Sequence, residues 1–118
     1  MTKSLEMVKL AKTALEDKKA QDIKIIDIRK VSVLADYFII ADGSNINQVQ
    51  AMVDSVEESL GRAGFECKQI EGYGTGGWIL MDYGDIIVHA FNREDRLFYD
   101  LERIWRDGKL LEEADLEE

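Results

Sequence analysis

Residues 78–91 read Trp-Ile-Leu-Met-Asp-Tyr-Gly-Asp-Ile-Ile-Val-His-Ala-Phe, two apolar runs separated by a short polar break. Both runs are rich in β-branched, aliphatic and aromatic residues, as is typical of strands. Tyr83-Gly84 supplies the conformational freedom that a tight turn requires. The stretch therefore predicts a β-hairpin that turns at Tyr83-Gly84, and the rest of the fold is arranged around it.

One face of this hairpin carries the candidate binding residues. A tight turn pairs them across the strands as Trp78 with His89, Leu80 with Ile87, and Asp82 with Asp85. Opposed carboxylates weaken a sheet, so we expect a positively charged partner there. The alternative is a core tryptophan beside solvated turn aspartates, because turns favour Asp. A register change of one residue would exchange the two faces of the hairpin.

Outward from the hairpin, the chain predicts an α/β (α+β) fold with the element order αββαβββα. Helices are expected from Ser4 to near Lys19, after Ser44 or Asn45, and after Asn92. Three further strands are expected at 23–28, 37–41 and 65–71, of which the second is apolar throughout and the third is polar enough for an edge. About five strands in a single mixed sheet with helices packed on it are therefore predicted.

Charge and composition restrict the partners. The chain has 118 residues, 46% of them hydrophobic, and a formal net charge of −9. We expect one domain over residues 1–108 and a frayed acidic tail over 109–118. The charge disfavours nucleic acid and anionic lipid and favours a partner rich in Lys and Arg. The N-terminus lacks a signal or transit pattern and no apolar run could span a bilayer, so a cytoplasmic location is expected.

The sequence supports a catalytic role less well than a binding role. Asp82 and Asp85, with Glu71 nearby, could bind a divalent metal beside Gly43-Ser44, but no Asp-x-Asp pair follows as metal-assisted nucleotidyl transfer requires. The glycine-rich stretch 72–77 joins two predicted strands, whereas phosphate-binding loops lead into a helix. We therefore expect no enzyme activity, no cofactor and no metal.

One cysteine–histidine pair remains as a candidate for nucleophilic catalysis. Cys67 and His89 are a possible thiol and base, but a cysteine among apolar neighbours and a histidine in a strand are more often structural. Because Cys67 is the single cysteine, an internal disulfide and a multi-cysteine zinc site are excluded.

Several sequence blocks resemble the ribosomal silencing factors, also called the Iojap family. They are Asp-Tyr-Phe-Ile-Ile-Ala-Asp-Gly-Ser at 36–44, Glu71-Gly72, the hairpin at 78–91, and Arg-Leu-Phe-Tyr-Asp-Leu-Glu-Arg-Ile-Trp at 96–105. The similarity runs in order from about residue 23 to residue 105. The hairpin block followed by Phe-Tyr-x-Leu-Glu is the most specific part.

This resemblance implies a homodimer with a nucleotidyltransferase-like fold that lacks catalytic carboxylates. It implies docking onto a protein of the large ribosomal subunit beside the intersubunit face, where the bound factor blocks subunit joining and lowers translation when nutrients are scarce. Trp78, Leu80, Asp82 and Asp85 match the partner-binding positions. Organellar relatives act in ribosome assembly, which is the alternative role that the resemblance leaves open.

Overall fold

The computed structural model describes residues 3–30, 33, 35–74, 77–93 and 109–111, and for Lys109 and Leu110 the backbone alone. Within these residues, two helices and six strands follow in this order: α1 Lys3–Asp17, β1 Gln21–Asp27, β2 Tyr37–Gly43, α2 Ile46–Arg62, β3 Gln69–Glu71, β4 Trp78–Asp82, β5 Ile86–Asn92 and β6 Lys109–Leu111. The predicted last helix, after Asn92, lies outside the described residues.

The strands form one sheet in the order β3-β4-β5-β2-β1-β6. The central pair β2 and β5 is parallel, and the other neighbours are antiparallel, so the predicted mixed sheet is confirmed. β3 lies at an edge as predicted, although it is shorter than the stretch 65–71. β6 adds a sixth strand to the predicted five by pairing with β1.

The prediction that the chain frays beyond Gly108 is wrong at its start, because Lys109–Leu111 form β6. A strand of three residues carries too little periodicity to be recognised in sequence, and its stability comes from pairing with the distant β1. Residues 112–118 of the predicted tail lie outside the described residues.

One face of the sheet is covered by α1 and α2, and we call it the helix-covered face. Its core contains aliphatic side chains of the hairpin, all fully buried: Ile79, Met81, Ile86, Val88 and Ala90. The apolar stripe of α2 packs on this face through Val49, Met52, Val53, Val56 and Leu60. The hairpin side chains follow the alternation expected of strands, and the α2 side chains follow the spacing expected of a helix.

The two helices of the described residues, α1 and α2, end in the same hydrogen-bonded motif. After α2, Phe65 N–H donates to Leu60 O and Gly64 N–H to Gly61 O, with Gly64 at φ +91°. This arrangement satisfies two otherwise free carbonyls and requires a left-handed residue, for which glycine is suited. At the other end of α2, Asn45 caps the helix by accepting a hydrogen bond from Gln48 N–H, as predicted.

After α1 the same left-handed position is occupied by a lysine. Ala20 N–H donates to Leu15 O, Lys19 N–H donates to Glu16 O, and Lys19 has φ +60°. A side chain in this region is strained by contact of its Cβ with the backbone. The end of α1 is therefore built at a higher conformational cost than the end of α2.

The opposite face of the sheet has a second, smaller core. It joins Ile26, Ile28, Ala35, Phe38, Ile40 and Phe91, against which Trp78 and Ile87 pack. Among the described residues, this cluster includes no side chain of α1 or α2. Apart from Asp85, the hairpin residues that the sequence singled out lie on this face.

Candidate functional site

The hairpin turn is centred between Gly84 and Asp85, one residue further along the chain than the sequence suggested. Asp82 pairs with Ile87, and Tyr83 N–H donates to Ile86 O at 3.0 Å. Asp82 Oδ1 accepts a hydrogen bond from Gly84 N–H at 2.7 Å, and Gly84 has φ +86°. The Tyr83 ring is buried in the core of the helix-covered face, so this residue cannot sit at the tip of a two-residue turn.

The predicted cross-strand pairs are therefore wrong by two residues. Trp78 opposes Phe91, Leu80 opposes His89, and Asp82 opposes Ile87. Side chains alternate along a strand, so a displacement of two residues leaves the side chains of β4 and β5 on their predicted faces. The faces of the strand residues were predicted correctly, while the position of Asp85 and its pairing with Asp82 were not.

We define the hairpin patch as Trp78, Leu80, Asp82 and Ile87, with Glu71 of β3 at its edge. The four hairpin residues are half-buried, and Glu71 is exposed. Glu71 pairs with Leu80, so both side chains point to the same side of the sheet. Gln69 Nε2 donates to Glu71 Oε1 at 2.6 Å and thereby orients this carboxylate. The patch combines apolar surface with two carboxylates.

Asp85 does not belong to the patch. It lies in the turn, where its Oδ2 is 3.6 Å from Lys3 Nζ of α1, on the side of the helices. Its backbone oxygen accepts a hydrogen bond from Asp36 N–H. The proposed repulsion between paired carboxylates is therefore not a feature of this hairpin, and the negative side chains that flank the apolar residues are Asp82 and Glu71.

Trp78 rests on a stack of aromatic rings. Its indole is stacked on Phe91, with ring centroids 5.3 Å apart and an interplanar angle of 24°. Phe38 meets His89 edge to face at 4.9 Å. Such contacts stabilise by about 0.5–1.5 kcal/mol beyond simple burial. The indole is therefore held at the surface by a rigid base.

His89 contacts the same indole through a hydrogen bond. Trp78 Nε1–H donates to His89 Nδ1 at 3.1 Å, whereas His89 Nε2 is buried and has no hydrogen-bond partner among the described residues. His89 is only 4% exposed. Burial lowers the pKa of His89 to about 4, so the imidazole is neutral at pH 7.

The structure separates the residues of the nucleotidyltransferase hypothesis. Ser44 follows Gly43, which pairs with Asn92 at the carboxyl end of β5, whereas Asp82 pairs with Ile87 near its start. Five residues of strand place these ends about 17 Å apart. Ser44, Asp82 and Asp85 therefore do not form one site.

The other catalytic candidates take structural positions. Cys67 Sγ contacts Gln69 O and Asp82 O, and burial raises the pKa of its thiol, which makes it less reactive at neutral pH. His89 Nδ1 is already engaged by the indole of Trp78. The glycine-rich stretch 72–77 joins β3 to β4, as predicted, and does not lead into a helix.

The described residues show neither a metal-binding cluster nor a membrane-spanning helix. In that part of the chain no three His, Cys, Asp or Glu side chains are grouped so that they could hold a metal ion. Neither of the two described helices is both long and apolar enough to cross a bilayer.

Sequence reasoning missed three members of this site. Glu71 was considered as a metal ligand but belongs to the hairpin patch, and Phe38 and Phe91 form the aromatic base below it. The alternation of polar Gln69 and Glu71 with apolar Ile70 could have placed Glu71 on this face. The contacts of Phe38 depend on the pairing of β2 with β5, which are distant in sequence.

Comparison with known proteins decides the family. The family model described as "Ribosomal silencing factor during starvation" matches residues 1–118. The chain belongs to the ribosomal silencing factor family. The resemblance of the hairpin block to this family is thereby confirmed.

Individual members of the family match over most of their length. A ribosomal silencing factor of Bacillus subtilis is 38% identical over 111 residues, which cover 94% of this chain and 92% of that protein. The crystal structure of a Chromobacterium violaceum protein is 38% identical and superimposes with a TM-score of 0.86, covering 88% of this chain and 87% of that chain.

An organellar relative is more distant. The mouse protein named "Mitochondrial assembly of ribosomal large subunit protein 1" is 28% identical over 96 residues, which cover 77% of this chain and 41% of that protein. Most of the mouse protein therefore has no counterpart in this alignment, while the family domain is shared.

Proposed function

We propose that this chain binds the large ribosomal subunit through a basic ribosomal protein near the intersubunit face. The bound factor blocks joining of the small subunit and represses translation when nutrients are limiting. The proposed action is steric, so it uses no reaction, cofactor or metal. A homodimer in the cytoplasm is also part of the proposal: the resemblance to the family supports the dimer, and the sequence pattern of the N-terminus supports the location.

The hairpin patch carries this proposal. Trp78, Leu80 and Ile87 offer half-buried apolar surface, and Asp82 and Glu71 flank it with negative charge. An aromatic anchor surrounded by charged residues is typical of the centre of a protein interface. The net charge of −9 steers association towards a cationic partner. Asp85, which lies on the side of α1, is outside the proposed contact.

Co-sedimentation with purified large subunits tests the patch. Trp78→Ala should weaken binding by about 30-fold, equivalent to about 2 kcal/mol, because a tryptophan anchor is removed. Asp82→Lys should also weaken binding, since it presents a positive charge to a basic partner. Binding of both variants with the affinity of the parent would show that the patch is not the contact.

Two matched charge reversals serve as controls. Glu57→Lys makes the same change of charge on the exposed side of α2, away from the patch. Asp85→Lys makes it in the turn, beside Lys3. We expect both to bind nearly as the parent does, apart from the small effect of net charge on the association rate.

An assembly role on the large subunit is the second candidate function, and the name of the mouse relative favours it. Both roles use one binding surface, so binding alone does not separate them. A joining assay with mature purified subunits does: inhibition of joining supports silencing, whereas unaffected joining together with accumulated large-subunit precursors in cells that lack the protein supports assembly.

A degenerate nucleotidyltransferase is the least supported candidate, since Ser44 and Asp82 lie at opposite ends of the strands. It predicts magnesium-dependent binding of nucleoside triphosphates. Titration calorimetry with magnesium and each triphosphate should give no heat of binding.

A further inference from the structure

His89 uses one ring nitrogen and leaves the other unsatisfied within the described part of the chain. The indole nitrogen of Trp78 is a donor only, so His89 Nδ1 must be the acceptor in their 3.1 Å hydrogen bond. The proton of the neutral imidazole therefore sits on Nε2. This N–H is buried, and among the described residues no acceptor meets it.

A buried donor without an acceptor is unfavourable compared with an apolar group of similar shape. A phenylalanine at position 89, between Phe38 and Phe91, would preserve the ring contacts and remove the N–H that has no acceptor among the described residues. Packing alone therefore does not explain the histidine. Of the two polar groups that phenylalanine lacks, the acceptor Nδ1 is the one that makes a described hydrogen bond, to the indole N–H.

The hydrogen bond determines how Trp78 is presented. Stacking on Phe91 fixes the plane of the indole, and the bond to His89 fixes its rotation within that plane by turning the N–H edge towards the protein. The edge away from His89 is carbon. A partner at the hairpin patch then meets the apolar edge of the indole, because the indole N–H is already hydrogen-bonded to His89.

We infer that His89 is a positioning residue, which holds the Trp78 indole in the orientation that the partner recognises and does not contact the partner itself. This inference rests on the proposed function of the hairpin patch. The 4% exposure of His89 agrees with an indirect role. The partner surface should accordingly be apolar where it meets Trp78 and cationic beside Asp82.

Nuclear magnetic resonance of the unmodified protein tests the hydrogen bond first. The chain has a single histidine and two tryptophans, so the relevant signals are few. Long-range proton–nitrogen spectra at pH 7, recorded on protein without a histidine tag, should show the tautomer protonated at Nε2. A proton on Nδ1 would refute the inference without any mutation.

Two variants then test the positioning role. His89→Phe keeps a ring but removes the acceptor, so the Trp78 indole N–H signal should shift and its exchange with water should accelerate. Large-subunit affinity should fall about tenfold, while the melting temperature stays the same or rises. His89→Asn places an oxygen near the position of Nδ1, and it should restore the indole signal and most of the affinity.

The outcomes separate this inference from the proposed function. The Trp78 signal is assigned by its loss in Trp78→Phe. If His89→Phe changes the indole signal but binds like the parent, the positioning role is refuted. An unfolded His89→Phe together with His89→Asn that folds but does not restore binding also refutes it. If Trp78→Ala itself binds normally, the proposed function of the patch fails.

Discussion

The helix-covered face and the face with the hairpin patch are formed by alternate residues of the same strands, yet their chemistry differs. On the first face, the hairpin contributes aliphatic side chains that are fully buried under α1 and α2. On the second, Trp78, His89 and Phe91 form an aromatic stack next to carboxylates, with a buried N–H that lacks a described partner. The first arrangement favours stability, whereas the second retains polar groups at an energetic cost that binding would explain.

Ile79 and Leu80 are neighbours in β4 on opposite faces, so their truncation tests the comparison most directly. Ile79→Ala should lower the free energy of unfolding by about 2–5 kcal/mol, because it leaves a cavity in a fully buried core. Leu80→Ala should lower it by only about 1 kcal/mol, since Leu80 is half-buried. Denaturant unfolding measures both values.

The effects of the two truncations on ribosome binding should follow the opposite order. Leu80→Ala should weaken co-sedimentation with large subunits about tenfold, and Ile79→Ala should retain binding at temperatures where it remains folded. Equal losses of stability for the two variants would contradict the distinction between the faces.

Lowering the pH should destabilise the folded protein through His89, which lies on the face with the hairpin patch. The pKa of His89 is about 4 in the folded protein and near 6.5 when unfolded, so between these values the unfolded chain takes up a proton that the folded chain does not. The free energy of unfolding should therefore decrease as pH falls from about 6.5 to about 4, by about 3 kcal/mol in total.

A pH series of denaturant unfolding on the parent and His89→Asn isolates this contribution. Carboxylates titrate in both proteins, so the difference between the two curves reports His89. This difference should be constant above pH 6.5 and change as the pH is lowered towards 4. Parallel curves would mean that the imidazole is not kept neutral by burial.

The smallest expected effect concerns the ends of the two helices on the helix-covered face. Lys19→Gly should stabilise the protein by up to about 1 kcal/mol, because glycine adopts the left-handed conformation without strain. Gly64→Ala should destabilise it by a similar amount. Melting temperatures of the two variants should move in opposite directions, and movement in the same direction would contradict the assignment of Lys19 as a strained helix end.

Sequence reasoning predicted those parts of the fold that depend on local pattern. The stripe and cap of α2 follow from helical spacing and from Asn45, and the two faces of the hairpin follow from alternation. The register could not be predicted, because it depends on the Asp82 side chain that binds Gly84 and on burial of Tyr83 beneath the helices. β6 was missed because its stability comes from the distant β1.

The sequence predicted which residues belong to the candidate site better than it predicted how these residues are arranged. As expected, one face of the hairpin carries Trp78, Leu80, Asp82 and Ile87. Side chains alternate along a strand, so a register change of two residues does not alter the face on which they lie. The placement of Asp85 beside Lys3 depends on how α1 packs, and the bond between Trp78 and His89 depends on side-chain rotamers. Neither is encoded in the spacing of residues along the chain.

The outer strands have a consequence for behaviour at high concentration. β3 and β6 are three residues long, whereas the inner strands β1, β2 and β5 have seven. A short outer strand offers few free backbone groups onto which a foreign strand could add, which protects against fibril growth and promiscuous aggregation. Specific assembly of this protein is thereby directed to its side-chain surfaces, where recognition can be selective.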